Sequence, residues 1–218
     1  MLPVAFQPPA KHHITGCILA GGRASRMGGV DKGLQLFRGQ TLVQHAIMRL
    51  QPQVTQVLIN ANRNPADYAL TGLKVIADTD FADMGPLSGF LSGLQHCDTE
   101  WLVTVPCDSP FFPLDLVEKL AAAATAKQSL IAMAQTQRLP DNAWELQPVF
   151  CLMHRSLIHS LKDYLASGQR KISAWAQQQT PLALCEFEET AESAHPFANA
   201  NTLAELQGIY PQLVLIDP

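Results

Sequence analysis

Residues 14–33 read ITGCILAGGRASRMGGVDKG, in which a short apolar run passes directly into a loop that holds five of the chain's 13 glycines. Glycine allows the main chain to adopt positive φ and to approach a ligand closely, so several backbone N–H groups can face phosphate oxygens. Arg23, Arg26 and Lys32 add positive charge to this loop, which suits it to a triphosphate. The simpler alternative is a surface turn with solvated basic side chains. The position directly after the first predicted strand favours phosphate binding, because α/β sheets bind ligands at the carboxyl ends of strands.

Two common phosphate loops are excluded by spacing. The P-loop requires a serine or threonine directly after its lysine, whereas Gly33 follows Lys32. The dinucleotide-binding pattern GxGxxG is also absent from the sequence. The loop therefore supports neither a P-loop NTPase nor a dinucleotide-dependent dehydrogenase.

Short apolar runs alternate with segments of helical period along most of the chain. This alternation predicts an α/β fold with a mainly parallel sheet and helices on both faces, which is a three-layer α/β/α arrangement. Strands are predicted at residues 14–20, 54–60, 73–77, 101–106, 130–134, 147–153 and 182–187. Helices are predicted at residues 42–50, 87–97, 113–127, 155–166 and 202–207, with a loop at 191–196.

Particular residues indicate where two of these helices begin. Thr41 is a suitable N-cap for the helix at 42–50, and Pro113 is a suitable first residue for the helix that ends near Lys127. The second of these helices is predicted to bury four side chains: Leu114, Val117, Leu120 and Ala121.

The N-terminal segment contains three prolines in its first nine residues. Residues 1–13 are therefore predicted to be a flexible lead, and residues 14–218 a single domain.

Composition narrows the class of protein. The chain has 218 residues, 47% of them apolar, and 15 basic against 19 acidic side chains give a net charge of -4. Without a general basic field, nucleic acid is not the expected partner. The first residues lack a secretory signal pattern and no run of 18 apolar residues occurs, so we expect a cytoplasmic protein without a membrane partner.

The cysteines form no CxxC pair and are expected to be reduced, buried thiols: Cys17, Cys97, Cys107, Cys151 and Cys185.

Polar side chains end three of the predicted strands. Asp108 follows the apolar run WLVTVP, and a carboxylate there would emerge at the same sheet edge as the glycine-rich loop, where Mg²⁺ on a nucleotide needs one or two carboxylates. Asn60 and Asp78 end two other strands. A carboxylate can accept hydrogen bonds from guanine N1–H and N2–H, which adenine cannot supply, so guanine is the chemically preferred base. Capping of a turn remains the alternative for each of the three residues.

Five segments together resemble those of the molybdenum-cofactor guanylyltransferases, the bacterial enzymes that attach GMP to molybdopterin. The segments are LAGGRASRMGGVDKG at 19–33, NANR at 60–63, GPLSG at 85–89, PCDSP at 106–110 and NANT at 199–202.

The resemblance covers about residues 15–206 and implies a Rossmann-like nucleotidyltransferase fold. It implies transfer of GMP from GTP to the terminal phosphate of molybdopterin, with release of pyrophosphate and with Mg²⁺ held by Asp108. The GTP-binding positions implied are Leu19, Ala20, Gly21, Gly22, Lys32, Asn60, Asp78 and Asp108. The catalytic positions implied are Arg26, Lys32 and Asp108. The acceptor-facing positions implied are Gln147, Pro148, Arg170, Lys171, Asn199 and Asn201.

Two alternative functions stay open at this point. One is a related nucleotidyltransferase with another base or acceptor, such as a molybdopterin cytidylyltransferase or a sugar-phosphate nucleotidyltransferase. The other is a regulatory module that binds GTP without catalysis. The expected partners are GTP and molybdopterin, with or without its molybdenum, and a molybdoenzyme or its chaperone is a further candidate because the product is labile in water.

Overall fold

A seven-stranded sheet forms the centre of the chain, whose computed structural model describes residues 6–20, 31–82, 84–138, 143–188 and 197–198. The strands are β1 (Ile14–Leu19), β2 (Leu36–Phe37), β3 (Gln40–Thr41), β4 (Gln56–Asn60), β5 (Lys74–Ile76), β6 (Trp101–Pro106), β7 (Ile131–Arg138), β8 (Ala143–His154) and β9 (Leu182–Phe187). The α-helices are α1 (Leu42–Leu50), α2 (Pro65–Ala69), α3 (Pro86–His96), α4 (Leu116–Lys127), α5 (Ile158–Ala166) and α6 (Ile172–Gln178).

The sheet is mainly parallel, as predicted. Its strand order is β5-β4-β1-β6-β8-β7-β9, and β8 pairs antiparallel with both of its neighbours, whereas the other pairs in this sheet are parallel. Strands β2 and β3 form a separate antiparallel hairpin. Parallel strands end at one edge of a sheet, which is where α/β proteins bind their ligands.

Alternate side chains of the strands enter two cores, one on each face of the sheet. Ile14 and Ile18 of β1 lie in one core with Val43 and Leu50 of α1 and with residues of α4. Cys17 lies in the other core, with residues of α3, α5 and α6. Helices therefore cover both faces, which confirms the predicted three-layer α/β/α arrangement.

Helix α1 has the predicted bounds because Thr41 forms a capping box with Gln44. Thr41 Oγ1 accepts a hydrogen bond from the Gln44 backbone N–H at 3.3 Å, and Gln44 Oε1 accepts one from the Thr41 N–H at 2.8 Å. The box pairs N–H groups that a first helical turn leaves without partners. Gly16 lets α1 approach β1 closely, since a Cβ at residue 16 would lie 2.7 Å from Leu50 Cδ2.

Helix α4 begins at Leu116, and the prediction that it starts at Pro113 was wrong. The Leu116 N–H donates to Pro113 O at 3.2 Å, so the proline opens a turn that precedes the helix. The predicted inward position of Leu114 was also wrong, because this side chain lies in that turn and is 54% exposed. Val117 and Leu120 are buried as predicted.

Several short elements were not predicted. Helices α2 and α6 have 5 and 7 residues, which is too short for a clear helical period, and the β2–β3 hairpin has two residues in each strand. The bounds of β1, β4, β5, β6 and β9 differ from the predicted strands by few residues or none, whereas β7 and β8 are longer than predicted. The helix predicted at 202–207 and the loop predicted at 191–196 lie outside the described residues.

The extra length of β7 and β8 forms one wall of the site described below. Strand β8 pairs with β6 only from Thr104 opposite Cys151 to Trp101 opposite His154, but it pairs with β7 as far back as Ala143. Because β8 is antiparallel, its first residues lie at the edge where the parallel strands end. Residues 134–138 and 143–148 therefore project past β6, and we call them the β7–β8 extension.

Part of the predicted flexible lead packs against the sheet. The Phe6 ring meets the Trp101 ring edge-on with centroids 6.2 Å apart, and Lys11–His13 form a 3-10 helix that leads into β1. Flexibility of residues 1–13 and a single domain at 14–218 stay predictions. Within the described ranges, no helix combines the length and the apolar character needed to cross a membrane.

Candidate active site

A cleft of about 750 Å³ opens at the carboxyl ends of β1, β4, β5 and β6, with the β7–β8 extension as one wall. It brings together nine of the residues that the sequence indicated: Leu19, Ala20, Lys32, Asn60, Asp78, Asp108, Gln147, Pro148 and Arg170. Five further predicted positions lie outside the described residues: Gly21, Gly22, Arg26, Asn199 and Asn201. The described strand ends therefore converge on one site.

Lys32 and Asp108 are close together in this cleft. Lys32 Nζ lies 3.5 Å from Asp108 Oδ2, and the two side chains are 31% and 28% exposed. A partly exposed ion pair of this kind, at 3.5 Å, contributes only about 0–1 kcal/mol to stability. Both groups can therefore turn to a charged ligand at little cost to the fold.

Asp31 fixes the end of the glycine-rich loop to helix α2. Its Oδ1 accepts hydrogen bonds from the Tyr68 hydroxyl at 2.5 Å and from the Gly33 N–H at 3.2 Å, and its Oδ2 accepts one from Asn64 Nδ2 at 3.1 Å. Burial, together with the adjacent Asp31 carboxylate, raises the pKa of the Tyr68 hydroxyl, so it stays a donor. These contacts position Lys32, the next residue, and the sequence analysis missed Asp31 because its partners lie in the unpredicted α2.

Asp78 is held by donors from three side chains. Its Oδ1 accepts hydrogen bonds from Asn60 Nδ2 and from Ser92 Oγ, each at 2.9 Å, and its Oδ2 accepts one from Asn62 Nδ2 at 2.7 Å. Asn62 Oδ1 in turn accepts the Asp78 N–H at 2.7 Å. A carboxylate has about four acceptor positions, so one on Oδ2 is left for a ligand.

Close approach of α3 completes this network. A Cβ at Gly89 would lie 2.6 Å from Asn60 Oδ1 and 2.9 Å from Leu19 Cδ2, so glycine is required where the helix crosses β4 and β1. Asn60 is only 2% exposed and Ser92 only 1%. The sequence analysis identified Asn60 and Asp78 but missed Asn62 and Ser92. Asn62 lies within the NANR segment, and Ser92 follows the end of the GPLSG segment by three positions.

Three of the positions predicted to face the acceptor lie in the cleft, and their role stays a prediction. Gln147, Pro148 and Arg170 line the cleft, and Gln147 Nε2 donates to Thr136 Oγ1 at 3.0 Å. Lys171 does not line the cleft; it is exposed, and its backbone carbonyl accepts a hydrogen bond from the Tyr164 hydroxyl. The residue precedes α6, and its carbonyl anchors that helix start.

The thiol beside Asp108 is inert. Cys107 is 7% exposed, and burial, with the neighbouring Asp108 charge, raises the pKa of the thiol far above the neutral range. A thiol that stays protonated is a poor nucleophile. All five cysteines are free and buried, as predicted, and the described residues contain no group of three or more His, Cys, Asp or Glu side chains that could enclose a metal ion.

Lys32 and Asp108 meet at the carboxyl edge of a mainly parallel sheet, and the solved structures that share this fold include nucleotidyltransferases. The structure overlaps with that of a molybdopterin-guanine dinucleotide biosynthesis protein A from Archaeoglobus fulgidus, with a TM-score of 0.70 over 91% of this chain and 100% of that one at 17% identity. That likeness shows the fold.

The chain belongs to the MobA-like NTP transferase domain family, whose model matches residues 16–182. It is 52% identical over 204 residues to a molybdenum cofactor guanylyltransferase from Acidovorax ebreus, covering 91% of this chain and 95% of that protein. It is 53% identical over 199 residues to the protein of that name from Bordetella petrii, covering 90% and 97%. Nucleotidyltransferases of this kind generally use a divalent metal ion.

Proposed function

We propose that this chain transfers GMP from GTP to the terminal phosphate of molybdopterin, forming molybdopterin guanine dinucleotide and releasing pyrophosphate. The observation that carries the proposal is the shared cleft of Lys32 and Asp108 beside the Asp78 network, in a chain more than half identical to molybdenum cofactor guanylyltransferases. Lys32 supplies a positive charge for the triphosphate of GTP, and the carboxylates supply acceptors for a metal ion and for the guanine base.

The guanine end of the cleft is the Asp78 network. The one acceptor position left on this carboxylate can take an N2–H of guanine, because adenine and cytosine have no amino group at C2. Asn60 and Ser92 hold Oδ1 while Oδ2 keeps an acceptor position, so the base meets a carboxylate whose direction is already set. Pre-ordering of this kind lowers the entropy cost of binding.

The chemical step needs no strong base. An oxygen of the acceptor's terminal phosphate forms a bond to the α-phosphorus of GTP, the bond from that phosphorus to the oxygen bridging to the β-phosphate breaks, and pyrophosphate leaves with the electron pair. A phosphate monoester has a second pKa of about 6, so the attacking group is already largely a dianion. Catalysis then depends on in-line positioning and on neutralisation of charge.

Lys32 neutralises part of that charge. Its ammonium group lies on the cleft wall beside Asp108, where it can pair with the departing pyrophosphate. We assign the same role to Arg26, which lies outside the described residues. Asp31 holds the chain at residue 31 through three hydrogen bonds, so the Lys32 backbone is fixed before substrate arrives.

Asp108 fits a magnesium ion better than the other carboxylates of the cleft. Mg²⁺ in nucleotide enzymes takes one or two protein carboxylates and fills its remaining positions with phosphate oxygens and water. Asp31 and Asp78 each accept three hydrogen bonds from the protein, whereas the described contact of the Asp108 carboxylate is the 3.5 Å ion pair. A bound Mg²⁺ would supply charge neutralisation at the triphosphate.

A base-selective assay tests the proposal. The purified protein is mixed with Mg²⁺, molybdopterin and one of GTP, CTP or ATP, and pyrophosphate release is measured against a control without acceptor. We expect release with GTP only. Strong use of CTP without use of GTP would refute the assignment of guanine as the base. GTP binding without acceptor-dependent pyrophosphate release would favour a regulatory module.

A further inference from the structure

A second recess adjoins the main cleft on the outer side of the β7–β8 extension. It has a volume of about 390 Å³ and is lined by residues at the start of β8 and by Ser173 of α6, with Trp144 and Pro148 among them. Pro148 also lines the main cleft, and Arg170, three residues before Ser173, lines it as well. The two spaces therefore adjoin each other at Pro148.

Trp144 is unusual among the tryptophans of this chain. It is 41% exposed, whereas Trp101 and Trp175 are 1% and 0% exposed. Successive side chains of a strand point to opposite faces, so Trp144 shares a face of β8 with Leu146 and Pro148. Leu146 packs against the core that contains residues of α6, which places this face toward that helix. An exposed indole thus lines a recess that shares Pro148 with the active-site cleft.

The spacing along β8 suits one molecule that reaches from the cleft into the recess. Pro148 is four positions after Trp144, which corresponds to about 13 Å of strand. The acceptor in the proposed function is a fused heterocyclic ring system, with one planar pyrimidinone ring, joined to a phosphate, and its length is similar to that spacing. Its phosphate belongs in the cleft, where Arg170 offers a guanidinium group.

We propose that the recess binds the pterin ring of the acceptor, stacked on the Trp144 indole, while the acceptor phosphate lies in the cleft. Flat heteroaromatic rings stack on tryptophan with offset faces, and such stacking tolerates the hydrogen-bonding pattern of the ring. Trp144 is thus a binding residue for the acceptor and takes no part in GTP binding. This inference rests on the proposed function.

Steady-state kinetics test the assignment with three variants. Trp144→Ala is expected to raise the KM for molybdopterin about 10-fold, as the loss of one stacked ring does at other sites, with kcat and the KM for GTP within about twofold of wild type. Trp144→Phe is expected to restore most of the loss because it keeps a stacking face. Leu184→Ala removes a side chain of similar exposure, 40%, from β9 and serves as the control with unchanged constants.

Iodide quenching gives a second readout that a structural role would not move. Because the other two tryptophans are buried, iodide should quench mainly Trp144 in the free protein. Molybdopterin is expected to lower the Stern–Volmer slope, GTP alone is not, and Trp144→Phe should show a small slope in every case. A slope that molybdopterin leaves unchanged would overturn the assignment.

The failure of this inference can be told apart from the failure of the proposed function. If wild type turns over GTP and molybdopterin but Trp144→Ala keeps its acceptor KM, the recess is not the pterin site and the function stands. If that variant instead alters sedimentation of the protein with unchanged constants, Trp144 is a contact to another protein surface and the inference is wrong. If wild type releases no pyrophosphate from any triphosphate, the function itself is refuted.

Discussion

Asp78 follows β5 and Asp108 follows β6, two strands that end at the same edge of the sheet, yet the protein surrounds the two carboxylates differently. Asp78 accepts hydrogen bonds from Asn60, Asn62 and Ser92 at 2.7–2.9 Å, two of them buried side chains. Asp108 is described with one ion-pair partner at 3.5 Å and is 28% exposed. One carboxylate is thus fixed in direction, and the other keeps acceptor positions for a ligand.

The difference teaches how one residue type can serve two roles in a cleft. Recognition of a base edge needs a fixed acceptor, because a hydrogen bond weakens when its donor–hydrogen–acceptor angle departs from linearity. A metal ion with phosphate ligands needs an oxygen that can adjust to octahedral geometry, because Mg²⁺ tolerates little distortion. The proposed roles of Asp78 in base recognition and of Asp108 in metal binding therefore differ because of the hydrogen-bond donors around each carboxylate.

The largest expected effect comes from Asp108→Asn, which tests the adjustable carboxylate. We expect kcat with Mg²⁺ to fall by about 100-fold or more, as when other electrostatic catalytic groups are removed, while the fold stays intact because the lost ion pair is half exposed. Acceptor-dependent pyrophosphate release measures the loss. Asp115→Asn, which removes a 2.9 Å ion pair to Lys119 outside the cleft, is the matched control. Turnover near the wild-type level in Asp108→Asn would mean that the metal is held elsewhere.

The next effect is a change of base preference in Asp78→Asn. An amide at this position offers an N–H donor in place of an acceptor, which suits xanthine, whose C2 carbonyl replaces the guanine amino group. We expect kcat/KM for GTP to fall about 10- to 100-fold and the ratio of GTP to XTP use to fall with it, since one hydrogen bond to a charged group is worth about 1.5–3 kcal/mol. Parallel assays with the two triphosphates measure the ratio. An unchanged ratio would show that Asp78 does not read the base.

Much of the site could be predicted because it lies at the ends of recognisable strands. Trp101–Pro106 reads as one apolar run, so Asp108 could be placed at the carboxyl edge, and Asn60 and Asp78 followed from the runs before them. The glycine-rich loop pointed to Lys32 by its density of glycine and charge. Strand ends can be read from local pattern, and local pattern is what a single sequence supplies.

The residues that escaped prediction act through contacts that local pattern does not specify. Ser92 lies on α3, 14 residues after Asp78, and reaches it only because Gly89 lets the helix approach β4. The β7–β8 extension was missed because AWELQPVF, residues 143–150, mixes polar and apolar side chains without a regular alternation. Leu114 was misplaced because a turn closed by Leu116 resembles the first turn of a helix. In each case the packing of separate segments decides the outcome.

The smallest effect tests whether the fixed direction of Asp78 matters. Ser92→Ala removes one 2.9 Å hydrogen bond to Oδ1 and is expected to raise the KM for GTP about 3- to 10-fold with little change in kcat, the range that one lost hydrogen bond of about 1 kcal/mol predicts. Ser88→Ala is the matched control: it is buried on the same helix, but its hydroxyl donates to Phe81 O at 2.6 Å. Both variants should lose similar thermal stability, so stability alone cannot explain a selective rise in KM. Equal GTP constants in the two variants would show that Asn60 and Asn62 suffice to orient the carboxylate.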